Sequence, residues 1–291
     1  MKNIDVLAQN IRNSTSQNFS DSQVNALCEH FLSQADEDFL DSFVANLTSS
    51  YGQMARLLDR EQPDQVVTID QITENYDNIK RDSNSIINSL RLLADNAEIR
   101  GGYTISHNKR ISRYSKFIAE KLLVLDDYKN VLKLDFPHVM GIASPIHDIG
   151  KIGIAKAILS KNDGLSFGEV EVLKTHVGMG YNIILGFLEV DPKNEFLSTA
   201  CDIALYHHEK WNGSGYVSGT KEKSIPLSAR IVSLAHKYDT LRLKPTDGVI
   251  LSHEDTVGAI IRRRGLCFDP VVVDIFSKHD KYFDEIYGST P

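Results

Sequence analysis

The chain has 291 residues, 42% of them hydrophobic and 24% charged, the proportions of a globular protein rather than a disordered or low-complexity one. Its formal charge of −7 is uneven: residues 1–95 hold 7 Lys/Arg against 15 Asp/Glu, and the rest of the chain 25 against 24. The acidic N-terminal third argues against a nucleic-acid polymer or an anionic membrane surface as partner, and no apolar run approaches the ~20 residues of a membrane span.

In chain order, the first elements read as helices. Val24, Leu27, Cys28, Phe31 and Leu32 recur at helical spacing, and a second stripe runs Leu40, Phe43, Val44, Leu47, Tyr51, Met54 and Leu58. The stretch EQPDQ at 61–65 breaks the pattern, because proline disfavours helix in the residue before it. A third stripe (Ile79, Ile86, Leu90, Leu93) leads toward residue 96. This region carries no chemistry and suits a regulatory or dimerisation module. Gly101-Gly102 marks a joint, which suggests a helical N-terminal domain over 1–96 and a second domain over 97–291. Beyond the joint the helical pattern resumes, with polar loops at 124–130, 160–167 and 212–226. No alternating run is long enough for a sheet, so an all-α fold is expected. The N-terminus lacks the apolar stretch of a secretory signal, and a cytoplasmic location is expected. Cys28, Cys201 and Cys267 stand far apart and read as free thiols.

Seven of the ten histidines lie between 107 and 236. His147-Asp148 sits in SPIHDIGKIGI and His207-His208 in ALYHHEKWNG; His107, His176 and His236 sit in SHNKRIS, LKTHVGMG and SLAHKYD. Two readings of the set are open: histidines satisfied within a core, or imidazoles and a carboxylate gathered round metal.

The ordered words HDIGKIGI, KTHVGMGYNIILG, HHEKWNGSGYVSG, IPLSARIVSLAHKYDTL and GLCFDPVVVDIF resemble the HD-GYP domain, a branch of the HD phosphohydrolases, over residues 100–280. The resemblance implies an α-helical bundle with an interior centre of two divalent ions, iron or manganese. It implies hydrolysis of cyclic di-GMP, or a related cyclic dinucleotide, to pGpG or onward to GMP. His107, His147, Asp148, His176, His207 and His208 match the family's ligands, with Asp148 as bridge. Lys151, three residues after the HD pair, matches the lysine that meets the scissile phosphate.

Other positions depart from the family. A glutamate often precedes the first ligand by four residues; here Tyr103 stands there, so two metals rather than three are expected. The last ligand, an aspartate in the family, is His236, with Asp239 as the other acid of that pattern. An imidazole adds no negative charge, which leaves Asp148 as the one expected carboxylate at the centre. The GYP word reads Gly215-Tyr216-Val217. The phosphate-binding RPxK segment is reduced to DTLRLKPTDG, where Arg242 and Lys244 are the candidate contacts beside Tyr216 and Lys151. Weaker cyclic di-GMP binding follows. The alternative expectation is a weakly active or inactive signalling module that binds metal and a nucleotide or a protein partner, through the GYP-like loop or the N-terminal helices, with homodimerisation through those helices.

Overall fold

The computed structural model describes residues 83–161, 164–188, 191–243 and 250–290. The stripes before residue 83, with Cys28, and Lys244 of the expected phosphate clamp lie outside the described residues.

Helix α1 (Ser83–Arg100) buries Ile86, Leu90, Ala94 and Ala97 along one face. It runs through the boundary expected at 96, and its apolar face joins the main core. The described part of the N-terminal region is therefore built into the bundle. Gly101-Gly102 is a tight turn within that bundle, with Gly102 at φ 77°, a left-handed conformation that glycine adopts without steric cost. Helix α2 (Ile105–Leu122) follows and buries His107, Ile111, Tyr114, Ile118 and Leu122. One stripe thus delivers a polar candidate ligand and the apolar residues that anchor it.

Helix α3 (Phe136–Ala143) has Pro137 in its first turn, where the missing N–H costs nothing. It passes into 3-10 turns at Ser144–Ile146 and Ile149–Gly153, with His147-Asp148 between them. The short α4 (Lys156–Leu159) leads to α5 (Phe167–Lys174). Ser166 and Glu169 form a reciprocal capping box at the start of α5. Helix α6 (His176–Leu188) packs along α7 (Glu195–Tyr206), which Asn194 caps. Helix α8 (Leu227–Leu243) crosses α2 and α7, and α9 (His253–Ile261), α10 (Pro270–Lys278) and α11 (Asp280–Ser289) complete the bundle. Among the described residues the only β feature is a lone bridge, Arg264 to Phe268, so the all-α expectation is met. No described helix is long and apolar enough to cross a membrane.

An aromatic cluster welds the C-terminal helices to α2 and α8. Phe283 stacks on Tyr114 at 4.7 Å and meets Tyr238 and Phe276 edge-on at 5.4 and 4.8 Å. Such pairs stabilise by about 0.5–1.5 kcal/mol beyond their burial.

The tightest contact in the bundle lies beside His147-Asp148. A Cβ built on Gly150 would stand 1.9 Å from the carbonyl oxygen of His176 and 2.5 Å from the backbone N of Gly180. The 3-10 turn and α6 therefore meet backbone to backbone. Gly150→Ala is expected to destabilise the protein by about 3 kcal/mol, at the upper end of overpacking costs because backbone cannot step aside as a side chain can. Urea unfolding of the two proteins measures it.

Candidate metal centre

Each candidate ligand is placed by backbone that the local sequence dictates. His107 sits in the first turn of α2. His147 and Asp148 occupy the break between the 3-10 turns. His176 opens α6, His207 and His208 follow the end of α7, and His236 lies mid-way along α8. All are buried except His208 and His236, which are partly so.

The structure gathers all six histidines and Asp148. Asp148, His176, His207 and His208 have their ligand atoms within 4.8 Å of one another, as do His107, His147 and His236. Asp148 joins the two groups. Its Oδ1 is 3.0 Å from His176 Nε2 and 3.4 Å from His207 Nε2, and its Oδ2 is 3.2 Å from His147 Nε2 and 3.9 Å from His236 Nε2.

The outer ring nitrogens define the tautomers. His147 Nδ1 lies 3.0 Å from Ser144 O, His176 Nδ1 2.6 Å from Leu173 O and His207 Nδ1 2.9 Å from Ile203 O. A carbonyl only accepts, so each Nδ1 carries a proton, and in the neutral ring each Nε2 keeps its lone pair. His107 obeys the same logic with a carboxylate: its Nδ1 donates to Asp239 Oδ2 at 2.6 Å. The Nε2 atoms of His107, His147, His176, His207 and His236 are buried with no hydrogen-bond partner in the described structure. Buried imidazole nitrogens rarely go unpaired. Four of them lie 3.0–3.9 Å from the Asp148 carboxylate, and that of His107 lies with those of His147 and His236; together they are a donor set for a divalent ion that accepts nitrogen, such as iron, manganese or zinc. The donor chemistry therefore fits the metal that the resemblance implies.

Burial tunes the same set. Desolvation holds His207 down to about 4, against the pull of Asp148. It holds His208 and His236 well below the ordinary imidazole range. These rings are neutral at neutral pH and free to ligate. His147 goes the other way: burial opposes its charge, but Asp148 beside it outweighs that and raises it. Burial also opposes ionisation of Asp148, yet Lys151 and His147 hold its carboxyl well below its usual range.

Asp239 does not face the ligand pockets. Its carboxylate is forked by Arg110, Nε to Oδ1 at 2.6 Å and Nη2 to Oδ2 at 2.9 Å, while Oδ2 orients His107. His236 thus lies with His107 and His147, and Asp239 lies behind His107. Arg110 also reaches Thr290 O at 3.4 Å, which ties the centre to the end of α11.

Lys151 lies in the 3-10 turn with Nζ 2.5 Å from Asp148 Oδ2 and 5.0 Å from the Tyr103 ring centre. Tyr216 stacks on His208 at 4.8 Å, with the Lys174 ammonium 5.6 Å from its ring centre. Glu209, buried, holds that loop by accepting from Ser218 N at 2.7 Å and Ser218 Oγ at 3.1 Å. Arg242, expected at the substrate's phosphates, is not brought to the cluster. It pairs with Asp284, donates to Tyr238 Oη at 2.9 Å and lies 4.0 Å from the Tyr287 ring centre.

Sequence reading missed one residue. Glu98, on α1, is fully buried, and its ligand atom lies within 4.8 Å of those of His147 and Asp148. Asp148 is therefore not the only carboxylate at the centre, contrary to the expectation drawn from Tyr103 and His236. The signal was faint: an acid one turn before a Gly-Gly break, which reads as a solvated helix end.

Two outcomes follow from this geometry. Asp239→Asn is expected to weaken metal binding at the His107 group by about 10- to 100-fold, the usual loss when a ligand's supporting carboxylate goes; chelator competition measures it. The second concerns metal-free protein and pH. His207 is neutral when folded down to about pH 4, whereas its ordinary value is 6.5. The unfolded chain therefore binds the extra proton between those values. Stability is fully present above pH 6.5 and falls with pH, by about 3 kcal/mol at pH 4 from His207 alone. His208 and His236 act in the same direction. The raised His147 opposes them, since its contribution is lost as pH rises. Denaturant midpoints of chelated protein across that range test the balance.

A family model described as "HD domain" matches residues 91–272. A probable cyclic di-GMP phosphodiesterase of Vibrio cholerae is 39% identical over 202 residues, 67% of this chain and 44% of the relative. A cyclic di-GMP phosphodiesterase of the same organism is 32% identical over 74% of this chain and 43% of the relative. A 3′3′-cGAMP-specific phosphodiesterase, also from Vibrio cholerae, is 30% identical over 68% of this chain and 36% of the relative. The chain thus spans less than half the length of each of these relatives. With the HD pair at the meeting point of two histidine groups and the HD model covering residues 91–272, which hold all of those histidines, the chain belongs to the HD domain family, in its HD-GYP branch.

Proposed function

We propose that the chain is a metal-dependent phosphodiesterase that hydrolyses cyclic di-GMP to pGpG or GMP, with two divalent ions, iron or manganese, at the centre. The observation that carries this reading is the position of Asp148, whose two oxygens face two different histidine groups. That is the arrangement a bridging carboxylate needs. His107, His147 and His236 would hold one ion, and His176, His207 and His208 the other. Bound there, divalent ions lower the pKa of a shared water and offset charge on the phosphoryl oxygens.

The chain's own groups supply the rest. A phosphodiester is anionic, and Lys151 is the buried ammonium beside the bridge, placed to draw the phosphate in and to offset charge on the leaving oxygen. The Tyr216 ring, stacked on His208 at the edge of the centre, is the candidate contact for a nucleobase. Arg242 has no part in this account, because Asp284 and Tyr287 occupy it. Any clamp on the distal phosphate falls to Lys244 and its neighbours, and weaker nucleotide binding than in a chain with an intact RPxK segment is in keeping with that.

The loss of that arginine favours a second reading, a metal-bound signalling module with little turnover. The cGAMP-specific relative makes 3′3′-cGAMP the second substrate to try. The test is hydrolysis of both dinucleotides by protein loaded anaerobically with iron or manganese, with products separated by chromatography. Steady pGpG or GMP from cyclic di-GMP is expected. His147→Ala is expected to lower kcat at least about a hundredfold, as losing several kcal/mol of metal-borne stabilisation requires. Fully metallated protein with no product from either dinucleotide would leave the signalling module.

A further inference from the structure

We propose that Glu98 is a positioning residue that holds the Lys151 ammonium once metal has taken Asp148. This rests on the phosphodiesterase reading for its catalytic meaning, though not for the pairing itself. Glu98 Oε1 is 3.3 Å from Lys151 Nζ, and its Oε2 is buried with no hydrogen-bond partner in the described structure. A carboxylate in such a place is costly unless a cation stays beside it. The other nearby cation is engaged elsewhere: Arg100 donates to Ile152 O at 3.0 Å and Ile154 O at 3.1 Å. Those two bonds stitch the end of α1 to the very turn that carries Lys151, so Glu98 and Lys151 ride on elements held in mutual register.

Asp148 cannot serve two masters. Its Oδ2 lies 2.5 Å from Lys151 Nζ, yet the same oxygen faces His147 and His236. An ion ligated by those imidazoles needs that oxygen, and an ammonium at the same lone pairs would meet the ion's charge head-on. The ammonium must then yield Asp148. Its remaining carboxylate is Glu98, with the Tyr103 ring, 5.0 Å from Nζ to the ring centre, as a cation–π floor. Glu98 thereby keeps Lys151 at the rim of the centre rather than loose in solvent. It also returns to the buried cluster the negative charge that His236, in an aspartate's place, withholds.

The experiment uses the full chain, loaded with manganese, as Glu98→Gln, Lys151→Met and the double variant. Manganese stoichiometry and affinity come from titration calorimetry, and thermal midpoints are taken with and without metal. Steady-state kinetics with cyclic di-GMP complete the set. Glu98→Gln is expected to keep full manganese stoichiometry and to lower kcat by roughly ten- to hundredfold, the scale for a misplaced group, with KM changed less than kcat. On the Lys151→Met background it should add little. Glu98→Asp, which keeps the charge with a shorter reach, should retain more of kcat than Glu98→Gln, and it stands in if the glutamine variant fails to fold. The thermal midpoints should show Glu98–Lys151 coupling that persists in the manganese-loaded protein. Loss of bound manganese in Glu98→Gln would make Glu98 a ligand and overturn the proposal, as would additive effects in the cycle. If the wild type turns over neither dinucleotide, the phosphodiesterase reading has failed, and the coupling in loaded protein still decides the pairing.

Discussion

Everything in the bundle answers to one buried carboxylate. Asp148 carries a full charge in the interior, where an isolated ion is costly to desolvate. The fold surrounds it with Lys151, His147, His176 and His207. Those groups arrive from the turn that carries Asp148, from α6 and from the end of α7, so the bundle must close before the charge is compensated. The centre is thus both the chemistry of the protein and a condition on its tertiary structure.

The imidazoles show how burial prepares a site. A histidine in water is divided between charged and neutral forms near neutral pH. Here desolvation withdraws the proton from His207, His208 and His236, and backbone carbonyls pin the outer nitrogens of His147, His176 and His207. The protein therefore presents lone pairs at the centre before any ion arrives. Asp239 and Arg110 extend the same device outward, since a carboxylate that orients His107 is itself held in an arginine fork.

Much of this was legible in the sequence, and the reason is chemical. Metal ligands must be particular residue types, so the histidine words survive as words, and each of the seven expected ligands reached the cluster. The helical character was legible from the apolar period. What escaped depends on which faces meet. Glu98 looks like a solvated acid until α1 is seen packed on the 3-10 turn. Asp239 and His236 are three residues apart on one helix, and only the position of Arg110 tells which one faces inward. Arg242 carries the charge a phosphate needs, but Asp284 and Tyr287, more than forty residues on, hold it elsewhere. The expected boundary at 96 falls within α1, whose apolar face packs into the bundle, because a glycine pair can turn a corner as well as end a domain.

The contact of Gly150 with α6 bears on how such a centre tolerates change over time. Most neighbouring elements are spaced by side chains, so a substitution in the core alters their separation. Where Gly150 meets His176 and Gly180 no side chain stands between the two elements, because backbone touches backbone. The spacing of Asp148 from His176 is therefore set by main-chain thickness, a dimension that no substitution elsewhere can rewrite. The surrounding apolar residues can drift in size and shape at some expense in stability, while the distance on which the chemistry depends stays the same. A rigid pivot of this kind lets the rest of the bundle change without re-inventing the site.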